Sequence, residues 1–454
     1  MKREKLNTNH VVVWHRTDLR LDDNWTLTKA IELGIPLCAV YIIDPFWLES
    51  GLQGIERCGS KRFGALLESL ADLAEQYRAV GHDLVVRVGD TVTELARIAA
   101  ETNASHIFFT RGKTTYERQF EDRLQAALGD ELELVGQWND VLLNPDVVAA
   151  NPMVSLKTFS RFRRSVEVNL SLPSPRPAPK KLNANPLAKT QVPHPNQFGL
   201  EEYSIHSDSP IADLDFGSTG AFKQLERYLW DSDSIAHYKQ TRNGMLQWSE
   251  SSRLSVYLAF GCISPIRLFH EIDRYELNRT KNESTYWLKF ELLWREYFHH
   301  LAYSVGAKLF QLGGTQGVSR RWRGACADFD AWCKGETGIP LIDANMVELN
   351  ETGYMSNRGR QIVASYLAKE LGIDWRLGAA WFECQLIDYD PCVNWGNWQY
   401  QAGVGVDAKD RRFNVQLQAK RYDARTTYVR RWLGERYTNV TNEQLIALNA
   451  APRP

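Results

Sequence analysis

Along residues 10–135, short β-branched and apolar runs alternate with stretches of helical periodicity: Val11-Val12-Val13-Trp14, Leu37 to Ile43, Leu84 to Val88, Ile107-Phe108-Phe109 and Leu132 to Val135. Such runs read as buried strands, and the intervening patterns predict crossover helices, hence a Rossmann-like, parallel five-stranded sheet with helices on both faces. The helices are expected to begin near Asn24, Ser60, Thr91 and Thr114, each opened by a polar capping residue. Such a sheet binds ligands beyond the carboxyl ends of its strands. After Phe216 the strand signal nearly vanishes. Helical patterns follow over 218–230, 252–260, 264–278, 284–303, 327–334, 343–351, 357–371 and 376–386. Between the two regimes, Pro173, Pro175, Pro177, Pro179, Pro186, Pro193, Pro195 and Pro210 hold nearly half of the chain's 17 prolines. Proline cannot donate to a ladder and stiffens the chain, so this stretch predicts a strap across the surface and not a floppy tether. The expected organisation is an α/β domain over 9–140, an interdomain connector over 141–215 and an all-α domain over 216–450.

Composition narrows the function classes. With 454 residues and 44% hydrophobic content, the chain can build two or three real cores, and disorder is disfavoured. A formal net charge of −1 means that any nucleic-acid contact must come from a local basic patch. The seven cysteines are scattered and form no Cys-x-x-Cys pair, which argues against a disulfide scaffold and structural zinc. Cys326, Cys333, Cys384 and Cys392 match no tight iron–sulfur run, so buried free thiols are expected. No Gly-x-Gly-x-x-Gly follows the first strand and no phosphate loop ending in Lys-Ser or Lys-Thr occurs, which disfavours an NAD enzyme or a P-loop ATPase. Residues 1–10 are polar and too short for a signal core, and no apolar stretch reaches membrane-spanning length, so a cytoplasmic location is expected.

Candidate chemistry concentrates in the helical half. Residues 388–400, Asp388-Tyr-Asp390-Pro-Cys-Val-Asn394-Trp395-Gly-Asn-Trp398-Gln-Tyr400, combine carboxylates, an amide and aromatics, a mixture that suits a flavin beside an aromatic relay. Ser249-Glu-Ser251-Ser252-Arg253-Leu254-Ser255 precedes an apolar helix. It reads either as a pyrophosphate cradle with Arg253 as counter-charge or as a Ser-rich N-cap. The segment 284–305 is apolar around most of its circumference, yet carries Glu291 and Arg295. The two could pair at their four-residue spacing. Alternatively, Glu291 and Trp294 face a cavity, where a desolvated carboxyl donates to a pyrimidine carbonyl and the indole stacks on the base. Ser356 is the expected cap of a helix presenting Asn357, Arg360 and Gln361 on one face, with Arg360 placed to pair with Asp388. Asp388 and Asp390 could chelate a metal, but no other carboxylate cluster supports it, and Pro391 suggests a turn directly after; no metal is expected.

In order and spacing, Glu291-Leu-Leu-Trp294-Arg295-Glu296-Tyr297, Asn357-Arg358-Gly359-Arg360-Gln361 and the 388–400 segment resemble the photolyase and cryptochrome family. Thr241-Arg242-Asn243-Gly244 and Gly353-Tyr354-Met355-Ser356 resemble its cryptochrome DASH branch. The resemblance implies FAD, held by Tyr238, Ser251, Ser252, Arg253, Leu254, Ser255, Trp294, Arg295, Asn357, Arg360, Asp388, Asp390 and Asn394, with Asn394 opposite flavin N5. It implies an electron relay of Trp398, Trp375 and Trp322. It places Glu291 and Trp294 against damaged bases, with Gln361 and Tyr400 where duplex-acting relatives carry Met and Trp. A less apolar wall should weaken the grip on a dimer that must be pulled from a stack, which points to single-stranded or looped DNA. Arg16-Thr17-Asp18-Leu19-Arg20-Leu21-Asp22-Asp23-Asn24 fits the family's opening motif. Glu117 is either a contact for an antenna, 5,10-methenyltetrahydrofolate, or a first-turn glutamate favoured by the helix dipole.

Basic residues Arg161, Arg163, Arg164, Arg320, Arg321, Arg323, Arg411, Arg412, Lys420, Arg421, Arg430 and Arg431 alternate with Phe159, Phe162, Trp322, Phe413 and Tyr422, a pattern compatible with a groove for phosphates and splayed bases. The expected activity is light-driven repair of cyclobutane pyrimidine dimers by a monomer. The alternative is a blue-light receptor acting through a DNA or protein partner, which the short stretch after Leu433 makes less favoured.

Overall fold

The computed structural model of the chain describes residues 9–129, 132–168, 170–200, 211–406 and 412–450. Five strands, β1 (His10–His15), β2 (Leu37–Ile43), β3 (Leu84–Val88), β4 (Ala104–Thr110) and β5 (Glu133–Gln137), form one parallel sheet in the order β3-β2-β1-β4-β5. Helices α1 (Trp25–Glu32), α2 (Ser60–Ala79), α3 (Thr91–Thr102) and α4 (Thr115–Leu128) connect them. Alternation along each strand sorts the two faces. Val11, Val13, Ala39 and Tyr41 pack with Phe63, Leu66 and Leu70 of α2, whereas Val12, Trp14, Cys38 and Val40 pack with Leu95, Ile98 and Leu124. Asn24 and Thr114 cap their helices as expected, and Thr114 closes a capping box with Glu117. Two caps differ: Gly59 precedes α2 without a side-chain bond, and Asp90, not Thr91, caps α3.

After α5 (Pro145–Ala150) and α6 (Phe159–Glu167), the proline-rich stretch runs against the α/β unit. Leu182 N–H donates to Val80 O at 2.7 Å, Thr190 Oγ1 accepts from Val86 N–H at 2.7 Å, and Asn185 Nδ2 reaches Asp83 O at 2.8 Å. Pro210 lies outside the described residues.

The second half is helical: α7 (Gly217–Glu226), α8 (Tyr238–Thr241), α9 (Ser255–Phe260), α10 (Pro265–Asn278), α11 (Glu283–Val305), α12 (Ala327–Lys334), α13 (Pro340–Thr352), α14 (Asn357–Ser365), α15 (Trp375–Gln385), α16 (Pro391–Ala402), α17 (Val415–Tyr422), α18 (Thr427–Leu433) and α19 (Asn442–Leu448). The expected turn at Pro391 is instead the start of α16. Asp390 accepts from Val393 N–H at 3.0 Å as N-cap and Pro391 occupies the first helical position, where its missing N–H is harmless.

One apolar core continues from the α2 face of the sheet into α7, α9 and α11, so the halves share an interior. Polar clamps, one buried and one half-buried, fix their orientation. Arg20 donates to Gly261 O at 2.8 Å and to Asn139 O at 2.6 Å, and Arg267 grips Asp22 with two bonds of 2.9 and 2.8 Å. The opening motif is thus largely an interdomain lock. Gly261 caps α9 with φ +69, and a Cβ there would lie 1.9 Å from Thr17 O. Only glycine permits both that conformation and that approach. Glu296 on α11 accepts from Leu142 and Leu143 N–H at 2.9 and 2.8 Å and contacts His300 Nε2 at 2.9 Å. Burial pushes its carboxyl up, but the His300 hydrogen bond and charge and the Leu142 N–H outweigh this and leave it below the ordinary range.

Candidate functional site

Two cavities lie on either side of the 388–395 segment. The larger, about 400 Å³, opens where strand order reverses, beyond the ends of β1, β2 and β4, the place such sheets reserve for ligands. Arg16, Asp44 and Lys113 enter it from the sheet, and Tyr389, Asp390 and Trp395 from the helical half. The smaller, about 110 Å³, is lined by Asn357, Arg360, Gln361, Asp388, Asn394 and Trp398 among others. Tyr389 and Asp390 line both.

The smaller pocket unites residues that sequence reasoning grouped from two segments, 357–361 and 388–400; no residue of 291–297 or 249–255 lines it. Ser356 caps α14 by accepting from Gly359 N–H at 3.0 Å, which turns Asn357, Arg360 and Gln361 toward one pocket. Arg360 donates from one terminal nitrogen to both Asp388 oxygens at 2.9 and 2.8 Å, and its Nε holds Met355 O at 2.9 Å. Asn394 donates to Ala379 O at 3.0 Å. Asp390 serves mainly as a helix cap and partner of His299, whose Nε2 lies 2.7 Å away. Burial raises the Asp390 carboxyl, yet His299 and Arg295 hold it far below the usual carboxylate range. His299, Asp390 and Cys392 sit close enough to share a cation, but Arg295 and Lys113 already place positive charge beside them.

Around the expected pyrophosphate cradle, the helix begins at Ser255, later than the expected 252. Arg253 takes a left-handed φ of +57 and is buried; it donates to Tyr354 Oη at 2.8 Å and to Gln247 O at 2.9 Å, while its Nε has no partner. Ser252 and Leu254 are buried, Ser251 half-buried and Ser255 exposed. Neither Ser251 nor Ser252 caps the helix. Tyr238 is buried within the field of Glu291. A buried guanidinium with an unspent N–H, held in a strained backbone conformation, fits a phosphate, and an amide with an ion-paired arginine fits a flavin ring edge. These residues suit FAD.

On α11 the alternative of a Glu291–Arg295 pair is not realised. Glu291 is ion-paired with Arg242 and accepts from Trp287 Nε1 at 3.2 Å, while Arg295 donates to Asp140 O at 2.8 Å. Burial raises the Glu291 carboxyl, with Arg242 opposing. Trp294 is also less open than expected. Phe159 of α6 stacks on it at 3.7 Å and 12°, and Tyr400 meets it edge-on at 6.1 Å. Arg242 and Phe159 were legible only as members of a motif and an aromatic–basic pattern.

Among the tryptophans, Trp398 rests on Gly378 of α15, where a Cβ would lie 2.2 Å from its ring. Trp375 opens the same helix, donates to Leu312 O at 3.1 Å and meets Trp395 at 5.7 Å. The Trp322 segment is tied to that helix start by Arg323 N–H to Gly372 O and Asp374 N–H to Arg323 O, both 2.8 Å. Glu117 is half-buried, not exposed; its Oε2 accepts from Lys113 N, Thr114 N and Thr114 Oγ1, and it lines the larger cavity.

Several arginines of the expected basic groove are spent on protein partners: Arg323 on Asp328, Arg412 on Glu370, and Arg430 on Val440 O at 2.7 Å. Arg163 is shared between Glu167 and Tyr286. Arg411 lies outside the described residues. All seven cysteines are free, six of them buried. Among the described residues no helix is long and apolar enough to cross a membrane.

Residues 11–180 match the family model described as DNA photolyase, and 287–453 match the FAD binding domain of DNA photolyase. The chain is 41% identical over 430 residues to the cryptochrome DASH of Synechocystis sp. (94% of this chain, 87% of that protein), and 41% over 433 residues to that of Gloeobacter violaceus (95% and 86%). Among solved structures, a Synechocystis cryptochrome superposes with a TM-score of 0.92 at 40% identity, covering 97% of this chain and 92% of that one. A class III photolyase from Agrobacterium tumefaciens superposes with a TM-score of 0.83 at 29% identity, covering 100% and 92%. With its parallel α/β half, its FAD-type helical half and these relatives, the chain belongs to the photolyase and cryptochrome family, in the cryptochrome DASH branch.

Proposed function

We propose that this chain is a blue-light-driven lyase that splits cyclobutane pyrimidine dimers in single-stranded or looped DNA. When bound, reduced FAD supplies the electron that opens the cyclobutane ring and receives it back. The observation that carries the reading is the contact of Trp294, one turn after Glu291 on α11, with Tyr400 of α16, the helix whose Asn394 and Trp398 line the small pocket.

Each side chain has a physical task. Glu291, its carboxyl raised by burial, donates a proton in a hydrogen bond to a pyrimidine carbonyl once Arg242 turns to a DNA phosphate. Trp294, stiffened by Phe159, offers its remaining surface and edge to the lesion with Tyr400. The amide N–H of Asn394 is committed to Ala379, which leaves its oxygen as the atom that can accept from a protonated ring nitrogen. Arg360 and Asp388 brace that ring, and Arg253 neutralises phosphate. Trp398, Trp375 and Trp322 serve as the path that restores the reduced cofactor. Gln361 on the pocket wall and Tyr400 beside Trp294 offer a lesion less apolar surface, so that unstacking it from duplex is not repaid, hence the single-strand preference. We assign 5,10-methenyltetrahydrofolate to the larger cavity as antenna, with Glu117 and the aromatic lining of Trp14, Phe46 and Tyr116 as its contacts.

The test is incubation with a dimer-containing single-stranded oligonucleotide under blue light and in the dark. Restored pyrimidines only in the light are expected, with Glu291→Ala lowering repair while retaining flavin. No light-dependent gain would leave the receptor reading in its place.

A further inference from the structure

We infer that Tyr389 is a second redox-active site of this chain, joined to the tryptophan relay through Trp395 and paired with Glu383 as acceptor of its proton. The inference rests on the relay reading of Trp398 and Trp375 and extends it to residues that the relay does not need.

Tyr389 lies between α15 and α16 and lines both cavities. Trp395 Nε1 donates to its hydroxyl at 3.1 Å, and the Trp395 ring stands 5.7 Å from Trp375 at 77°. The contact from Trp375 to the phenol is therefore continuous through one buried indole. Glu383 of α15 lines the larger cavity together with Tyr389 and Trp395, and its carboxylate acts electrostatically on the phenol. Arg62 lies 4.4 Å over the Tyr389 ring and donates to Glu383 O at 3.1 Å.

That arrangement dictates how oxidation would run. A cation over the ring opposes removal of an electron alone, because the product would be a second positive charge beside it. Loss of the electron together with the phenolic proton leaves a neutral ring, and Glu383 is in place to take that proton. The oxidant is the light-excited oxidised flavin, acting through Trp398 and Trp375. One electron passes from Tyr389 through Trp395 to oxidised Trp375, which returns to a closed-shell indole. The O–H bond of Tyr389 breaks, its proton forms a new O–H bond on a Glu383 carboxylate oxygen, and a neutral tyrosyl remains. An ordinary buried tyrosine also seeks a hydrogen-bond partner, so the distinction lies in the radical and not in the contact.

The experiment is flash excitation of the flavin-loaded protein, with transient absorption and EPR on wild type, W322F, Y389F, W395F, E383Q and W398F. Folding of each variant is checked by circular dichroism. A tyrosyl signal is expected in wild type and in W322F, where the outer end of the relay is removed. It is lost in Y389F and W395F, and forms more slowly in E383Q and in D2O. Absence of the signal in W322F, or its persistence in Y389F or W395F, overturns the inference. W398F separates the two levels: flavin photoreduction that survives it removes the relay reading itself, whereas photoreduction that depends on Trp398 without any tyrosyl removes only the role of Tyr389.

Discussion

Truncating Arg360 tests whether its pairing with Asp388 belongs to the fold or to the cofactor. Asp388 is buried, and among the described residues both hydrogen bonds to its carboxylate, 2.9 and 2.8 Å, come from Arg360. Arg360→Ala leaves that carboxylate unpaired, and removing one partner from a buried ion pair costs about 3–5 kcal/mol. At roughly 2–4 °C per kcal/mol for a domain of this size class, Tm should fall by about 6–20 °C. Replacing both partners with apolar groups of similar volume, Arg360→Met with Asp388→Leu, removes the stranded charge, and such exchanges are often neutral. The double variant should therefore regain most of the lost Tm. Flavin retention after gel filtration, read from the visible-to-ultraviolet absorbance ratio, should remain low in both variants. An Arg360→Ala protein with unchanged Tm refutes the energetic argument. A double variant that recovers full flavin as well as Tm shows the pair to be purely structural.

Two buried carboxylates should pull pH stability in opposite directions. Burial raises Glu348 to about 7 against the Tyr428 hydrogen bond, so the fold favours its neutral form. Stability from this group is full below the unfolded value of 4.5 and is lost as pH rises toward 7, by about 3 kcal/mol at most, so the Tm of Glu348→Gln should gain on wild type across that window. Glu296, held below 4.5, contributes fully above that value and loses its contribution as pH falls through its folded value; the deficit of Glu296→Gln at neutral pH should shrink in acid, and a deficit independent of pH contradicts the assignment. Asn394→Asp should reduce accumulation of reduced flavin under blue light, because a carboxylate opposes negative charge developing on the ring; an unchanged photoreduction spectrum would rule this out.

The strands and long helices were legible because their signals are local. Leu37–Ile43 and Leu84–Val88 coincide with the apolar runs that announced them, and Ala327–Lys334 with its helical pattern. α16 escapes the local pattern because Pro391 suggests a turn, although Asp-Pro is also the N-cap and first position of a helix. The Arg360–Asp388 pair was readable from residue types at two sites. The Glu291–Arg242 pair was not, since a four-residue spacing suggested a nearer partner and only tertiary packing brings α8 and its following turn onto α11. Likewise, nothing in local pattern places Phe159 on Trp294. The resemblance supplied roles for Asn394 and Trp398, while the lining shared by Tyr389 and Asp390 needed three dimensions.

The proline-rich strap has a consequence for handling as well as for shape. β3 is an outermost strand, and the hydroxyl of Thr190 already takes the Val86 N–H that an intruding chain would use as a template. A protease nick near 182–190 would bare that ladder, and the cut protein should begin to associate with itself.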